Sequence, residues 1–206
     1  EQNFPSPSFV RQIENQNLHA LNIPELTIIT PAALQTEAER VAQLHREEGL
    51  TVAVIEQEKI FNEFSSGTPD ASAYRRLMKM FYDRAEGNEN VRPRYLLLFG
   101  DGSYNNRKSM EKLHSPECNM LLTYQSKTSI DERESFVIED YFGFLEDNSG
   151  EEIKVDKVCL GIGRFPISSI KNARLVVDKL YRYVHDKDFS SWKNNICIAA
   201  DDGDEA

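Results

Sequence analysis

Carboxylates in this sequence gather where the chain turns. Gly100-Asp101-Gly102-Ser103 sets one between two glycines, directly after the apolar run Tyr95-Leu96-Leu97-Leu98-Phe99. Flanking glycines let a backbone turn sharply and let a partner come close, which makes Asp101 a candidate to face a ligand. The same side chain can instead cap amides of its own turn and do no chemistry. Glu139-Asp140-Tyr141-Phe142-Gly143 joins adjacent acids to an aromatic pair. Read as a strand, the segment points Glu139 and Asp140 to opposite faces, so they cannot serve as a mutual acid/base pair. One of them can still face a strand-end cleft, with Asp140 the candidate, against the plainer reading of a solvated edge. A third group, Asp201, Asp202 and Asp204, has the oxygen chemistry that calcium prefers, but it lacks the EF-hand spacing and its distal glutamate. A solvated acidic end is the stronger reading.

Nucleophilic catalysis needs a Cys or Ser within reach of a His, and the thiols and imidazoles are poorly placed for it. Cys159 and Cys197 fall in apolar runs, where a thiol is packing. His45 and His185 fall near predicted helix C-termini, His19 in a polar lead, and His114 and Cys118 share a loop without a catalytic spacing. Gly161-Ile162-Gly163-Arg164 is no phosphate loop, because it lies in or at the end of a strand and lacks a third glycine and a following helix start.

The elements that must carry these residues alternate. Leu26-Thr27-Ile28-Ile29-Thr30, Leu50 to Ile55, Tyr95 to Phe99, Val158 to Gly163 and Ile196 to Ala200 read as short buried strands. Between them, Thr36 and Glu39 have capping-box spacing before a helix that Gly49 stops, and Asp70 can cap a helix carrying Tyr74, Leu77, Met78 and Phe81 on one face, ended by Gly87-Asn88. Ser168 or Ser169 can cap another, with Ala173, Val176, Val177, Leu180 and Val184 apolar. Residues 103–156 are turn-rich and charged, an excursion with short alternating segments at Met120 to Tyr124 and Phe136 to Leu145 that predict a hairpin or irregular strands. Strand and helix in alternation predict an α/β fold with a parallel sheet and helices on both faces. In such sheets ligands bind outside the carboxyl ends of the strands, which directs attention to Asp101, Arg164 and Asp201.

A length of 206 residues and a 40% hydrophobic content suffice for a real core. The net charge of −10, with Lys and Arg never massed, argues against nucleic acid and anionic membranes as partners. No apolar run approaches the ~20 residues of a membrane span. The start, Glu1-Gln2-Asn3-Phe4-Pro5, has neither an initiator Met nor a signal-peptide core, as expected of a chain from which a leader or a larger parent has been removed.

Several of these segments together resemble a known family. YLLLFGD at 95–101, GIGRF at 161–165 with the capped helix that follows, Trp192 and the run at 196–200 are similar, in order and spacing, to the gingipain family of cysteine peptidases. YLLLFGDGSYNNR, EDYFGFLED, GIGRFPISS and ICIAADDGDE resemble most its PorU-type sortase branch, from the type IX secretion system of Bacteroidetes. The likeness runs over about residues 26–204.

The resemblance implies a caspase-like peptidase domain of two α/β subdomains. Residues 1–25 would be a polar lead, 26–190 the first subdomain, and 191–206 the opening strand of the second, cut short. In the family the catalytic His, in a Gly-His-Gly segment, and the nucleophilic Cys both follow the end of the present sequence, so no residue here inherits either role and this stretch alone should be inactive. Asp101, Asp140, Asp201 and Asp202 would line one wall of the substrate cleft. The intact domain would attack a peptide carbonyl with a thiolate, remove the C-terminal sorting domain of secreted cargo, and attach the cargo to a cell-surface lipopolysaccharide. Other secretion-system subunits would be its partners, its place secreted or at the outer membrane, with no cofactor required and room for a structural calcium as an option. The apolar flank facing the second subdomain would favour a homodimer. Two rival classes stay open on the residues alone: a stand-alone ligand- or calcium-binding α/β module using strand-end carboxylates, and a catalytically dead scaffold of a secretion machine.

Overall fold

Leu26–Thr30 (β1) is buried along its whole length because it has a parallel neighbour on each edge. Val52–Glu56 (β2) pairs on one side and Tyr95–Phe99 (β3) on the other, and Gly161–Phe165 (β4) adds beyond β3. The sheet order is therefore β2-β1-β3-β4, all parallel. This computed structural model describes residues 6, 9, 12–111, 113, 115, 118–126, 128, 130, 131, 133–152, 155–188 and 190–198.

Alternation along the strands feeds two cores. Ile29, Ile55, Leu96 and Leu98 meet Gln57–Phe64 (α2) and Ser72–Arg84 (α3) through Ile60, Phe61, Tyr74, Leu77, Met78 and Phe81. Leu26, Ile28 and Phe99 meet Gln35–Glu47 (α1) and a long helix, Ile170–His185, through Ala38, Val41, Ala173 and Val177. The expected α/β unit with helices on both faces is what forms. Among the described residues no helix is long and apolar enough to cross a membrane.

Helix ends follow local chemistry, with one correction. Gly49 adopts φ +96°, and its N–H and that of Leu50 donate to Arg46 and His45 carbonyls, which satisfies the last turn of α1. Asp70 Oδ1 accepts the Ser72 N–H at 2.8 Å, starting α3 as its sequence suggests. Ser169 is the N-cap of the long helix and accepts the Asn172 N–H at 3.1 Å, while Ser168 bonds the Asn172 amide. Thr36 and Glu39 form no capping box: the chain leaves Pro31 through a 3-10 turn, Ala32–Leu34, that buries Leu34, so Thr36 is already inside α1.

Further expectations change. β2 begins at Val52 rather than Leu50, since Leu50 is used to end α1 and the Thr51 carbonyl is held by the Glu25 and Leu26 amides. α2, which follows β2 without a loop, is unannounced by any cap or breaker. Phe136 to Leu145 is no strand: after one antiparallel bridge, Gln125 to Val137, the chain turns into a 3-10 helix at Asp140–Gly143. Tyr141 and Phe142 are both buried against α3, which strand alternation cannot achieve for adjacent residues. β4 starts at Gly161 because Cys159 pairs instead with the Gly143 carbonyl. A β-branched run becomes a strand only by pairing, and among the described residues none pairs with 196–198, where Ile196 and Ile198 are exposed after a 3-10 turn at Ser191–Asn194. Residues 199 and 200 of that run lie outside the described residues.

The order β2-β1-β3-β4 puts a switch point between β1 and β3. After β1 the chain goes to the α1 face, and after β3 to the excursion packed on the α3 face. The two carboxyl ends diverge there, and that is where such sheets hold their sites.

Candidate functional site

The ends of β1, β3 and β4 are tied side by side. Thr30 Oγ1 donates to the Phe99 carbonyl at 3.2 Å, and the Gly100 N–H to the Phe165 carbonyl at 3.1 Å. Beyond them the chain at Asn119–Thr123 lies against the Asp101 turn as a parallel extension. The Asp101 N–H donates to the Asn119 carbonyl, the Leu121 N–H to the Asp101 carbonyl, both at 2.8 Å. Asn106, which opens the short helix Asn106–Met110 (α4), clasps the same stretch with its side-chain amide, receiving the Thr123 N–H and donating to the Thr123 carbonyl.

The two glycines beside Asp101 are explained by this approach. A Cβ on Gly100 would lie 3.0 Å from the Asn119 carbonyl oxygen, and one on Gly102 2.9 Å from Thr123 Cγ2 and 3.3 Å from Arg164 Cζ. Close approach is what the sequence motif signals; the partner is the chain's own segment. Asp101 Oδ1 accepts the Gly102 N–H at 2.9 Å, the turn-capping role. Among the described residues Oδ2 accepts no hydrogen bond, and the side chain stays half-buried, so both readings of Asp101 apply to one carboxylate.

Arg164, from β4, knits these pieces together. Its Nε donates to Glu139 Oε1 at 2.7 Å and its Nη2 to Glu139 Oε2 at 3.1 Å, a bidentate pair with the guanidine side chain only 11% exposed. Nη1 reaches the Gly100 and Asp101 carbonyls at 3.3 and 3.1 Å, and Nη2 the Leu122 carbonyl at 3.0 Å. Of the adjacent acids it is Glu139 that turns inward. Asp140 is exposed at the start of its 3-10 turn, with no hydrogen bond or ion pair to Asp101. The adjacency of two acids, one destined for an interior arginine, was the signal; the assumption of a strand hid which one.

From the opposite face, buried Tyr74 and Gln57 hold the Leu122 N–H and the Met120 carbonyl. Burial pushes the Tyr74 phenol far above its ordinary range, so it is a hydrogen-bonding hydroxyl and not an acid. Burial also raises Tyr141, which stacks on Tyr124 with ring centroids 3.6 Å apart. A pocket of about 580 Å³ opens beside this stretch, between Thr68, Asp70, Arg107, Met110 and Tyr124.

No catalytic pair forms among the described residues. His19 bonds Glu63 and stacks on Phe64, His45 bonds Glu48, and His185 stacks on Tyr181. Cys118 is buried, and His114 lies outside the described residues, as do Asp201, Asp202 and Asp204. Among the described residues no group of three acidic, His or Cys side chains could hold a metal ion.

A parallel sheet with helices on both faces, its strand ends clamped around an interior arginine, defines a caspase-like α/β unit. More specifically, the chain belongs to peptidase family C25, the gingipain family, whose model matches residues 19–206. It is similar to the crystal structure of dimeric latent PorU from Porphyromonas gingivalis, with 43% identity, a TM-score of 0.77, and coverage of 91% of this chain. The chain spans only 18% of that protein's length. A second structure, described as a protease, shares 12% identity with a TM-score of 0.54 over 77% of this chain and 27% of its own, a likeness of fold alone. No curated protein matches the chain.

Proposed function

We propose that this chain is the first part of the peptidase domain of a PorU-type sortase, a cysteine peptidase that removes C-terminal sorting domains from type IX secretion cargo and attaches the cargo to the cell surface. The observation that carries the reading is the 43% identity to PorU over 91% of the chain. In the reaction, a downstream Cys thiolate attacks the scissile carbonyl, a downstream His moves the proton, and an amine takes the acyl group. The present residues supply a cleft wall, with Asp101 the described carboxylate placed at a strand end. Every described His is engaged elsewhere and Cys118 is buried, which supports an inactive role for this stretch by itself. The location proposed is the outer membrane or cell surface. The partners are cargo polypeptide, other secretion-system subunits and, since the solved relative is dimeric, a second copy.

The test is cleavage of a cargo polypeptide by this chain with and without its downstream continuation. Cleavage should need the continuation and should be abolished by thiol alkylation. Labelling of Cys118 in the chain alone by a thiol-directed peptidase probe, above a denatured control, would overturn the assignment.

A further inference from the structure

Arg164 makes five hydrogen bonds, as many as a guanidinium has N–H donors, and all go to the chain's own oxygens. It therefore has nothing left with which to bind a substrate. Its acceptors belong to three separate segments: the turn after β3, the stretch around Leu122, and the entry to the 3-10 turn at Glu139. The first carries a half-buried carboxylate, Asp101, at the strand end beside the guanidinium, whereas Asp140 in the third is exposed and receives no bond from Arg164. The Gly100 and Asp101 carbonyls are drawn inward to Arg164, Asp101 Oδ1 is spent on the Gly102 amide, and among the described residues Oδ2 is left over. Gly102 has no Cβ to hold the guanidinium off, and one would sit 3.3 Å from its Cζ.

We propose that Arg164 is a positioning residue, which fixes the Asp101 turn so that Asp101 Oδ2 meets an N–H or ammonium donor of the polypeptide substrate. The inference rests on the peptidase reading above and deepens it. Glu139 is the counter-charge that keeps the guanidinium in one orientation, since its two oxygens take Nε and Nη2 together. A lysine has a point charge and three donors on a flexible stem, and cannot reproduce that fork.

The experiment compares the full-length peptidase with its Arg164→Lys, Asp101→Asn and doubly substituted forms, acting on a cargo polypeptide. Arg164→Lys should raise KM about tenfold while kcat changes less than about twofold, the loss of a charged hydrogen bond in binding and not in the chemical step. In the Asp101→Asn background the same substitution should move KM by less than about twofold, because residues acting as one unit are not additive. Equal effects in both backgrounds would make Arg164 purely structural and overturn the proposal. Should Arg164→Lys fail to fold, Glu139→Gln replaces it, loosening the fork while keeping its shape. Cargo affinity of the alkylated enzyme, measured by calorimetry, follows the same cycle without turnover. Wild-type protein that binds cargo with this coupling but does not cleave it would sink the sortase reading alone; binding without coupling would sink the positioning role.

Discussion

Tyr74 Oη and Gln57 Oε1 lie 2.8 Å apart in the layer beneath the sheet, and together they grip the main chain beside the site. The Tyr74 hydroxyl donates to Gln57 and accepts the Leu122 N–H at 3.4 Å, while Gln57 Nε2 donates to the Met120 carbonyl at 2.9 Å. The stretch at 120–122 is thus held by α2 and α3 on one side and by Arg164 on the other. Tyr74→Phe strips one hydroxyl from this arrangement and leaves the Gln57 oxygen and the Leu122 amide without it. Burying such groups unpaired costs ~1–3 kcal/mol. A urea titration should show a lower midpoint with an unchanged slope; an unmoved midpoint would mean that water replaces the hydroxyl at no cost.

Capping separates two serine or threonine positions that look alike in sequence. Ser169 accepts the Asn172 N–H and Thr36 caps nothing. Ser169→Ala should cost about 1 kcal/mol. Thr36→Ala, inside a helix, should be neutral or slightly stabilising, because alanine is the better helix former. Thermal denaturation of the two variants checks the contrast, and equal losses would contradict the observed start of α1.

Acid should release the lead from α2. Partial burial raises the Glu63 carboxyl, but hydrogen bonds from the Leu18 N–H, the Gln16 amide and His19 outweigh it, so the folded value lies below the ordinary 4.5. A depressed acid contributes stability that is fully present above its unfolded value and is lost as the pH falls through its folded one. The Glu63 contribution should therefore disappear below 4.5, and Glu63→Gln should flatten stability against pH in that window. Hydrogen exchange at the Leu18 amide reads the release directly. A pH profile unchanged by the substitution would show that the contact is not linked to folding.

Calcium titration by calorimetry addresses the cation-binding alternative. The described carboxylates form no three-membered group suited to a metal, so Asp101→Asn should leave the calcium heat unchanged. A stoichiometric exotherm that vanishes in Asp201→Asn/Asp202→Asn would instead establish a structural calcium at the acidic run.

The strands at β1 and β3 were legible because burial on both faces favours short runs of apolar and β-branched residues, and Leu26 to Thr30 and Tyr95 to Phe99 are such runs. The glycine that ends α1 and the serine that begins the long helix were legible because each makes its contact within a few residues of itself. What escaped was set by distant partners. Glu139 and Asp140 differ in nothing local; the choice between them is made by an arginine 25 residues on. Phe136 to Leu145 reads as a short alternating segment on paper, yet burial of both Tyr141 and Phe142 against α3 folds it into a turn. Ile196 and Ile198 have strand character, but no described strand lies beside them to realise it. For the site, the glycines announced closeness at Asp101 but could not say that the close neighbour would be the chain itself.

The strand order carries a consequence for timing. The register of β1 on β3 joins Leu26 to Tyr95, and that of β1 on β2 joins Leu26 to Val52. On a ribosome, β1, α1 and β2 can assemble early, but the central edge of β1 then stays bare until Phe99 has emerged. Through that interval an apolar strand with unpaired amides is open to other chains. A protein built this way gains from staying unfolded until synthesis has passed β3, which makes the order of its sheet a constraint on how it is handled in the cell.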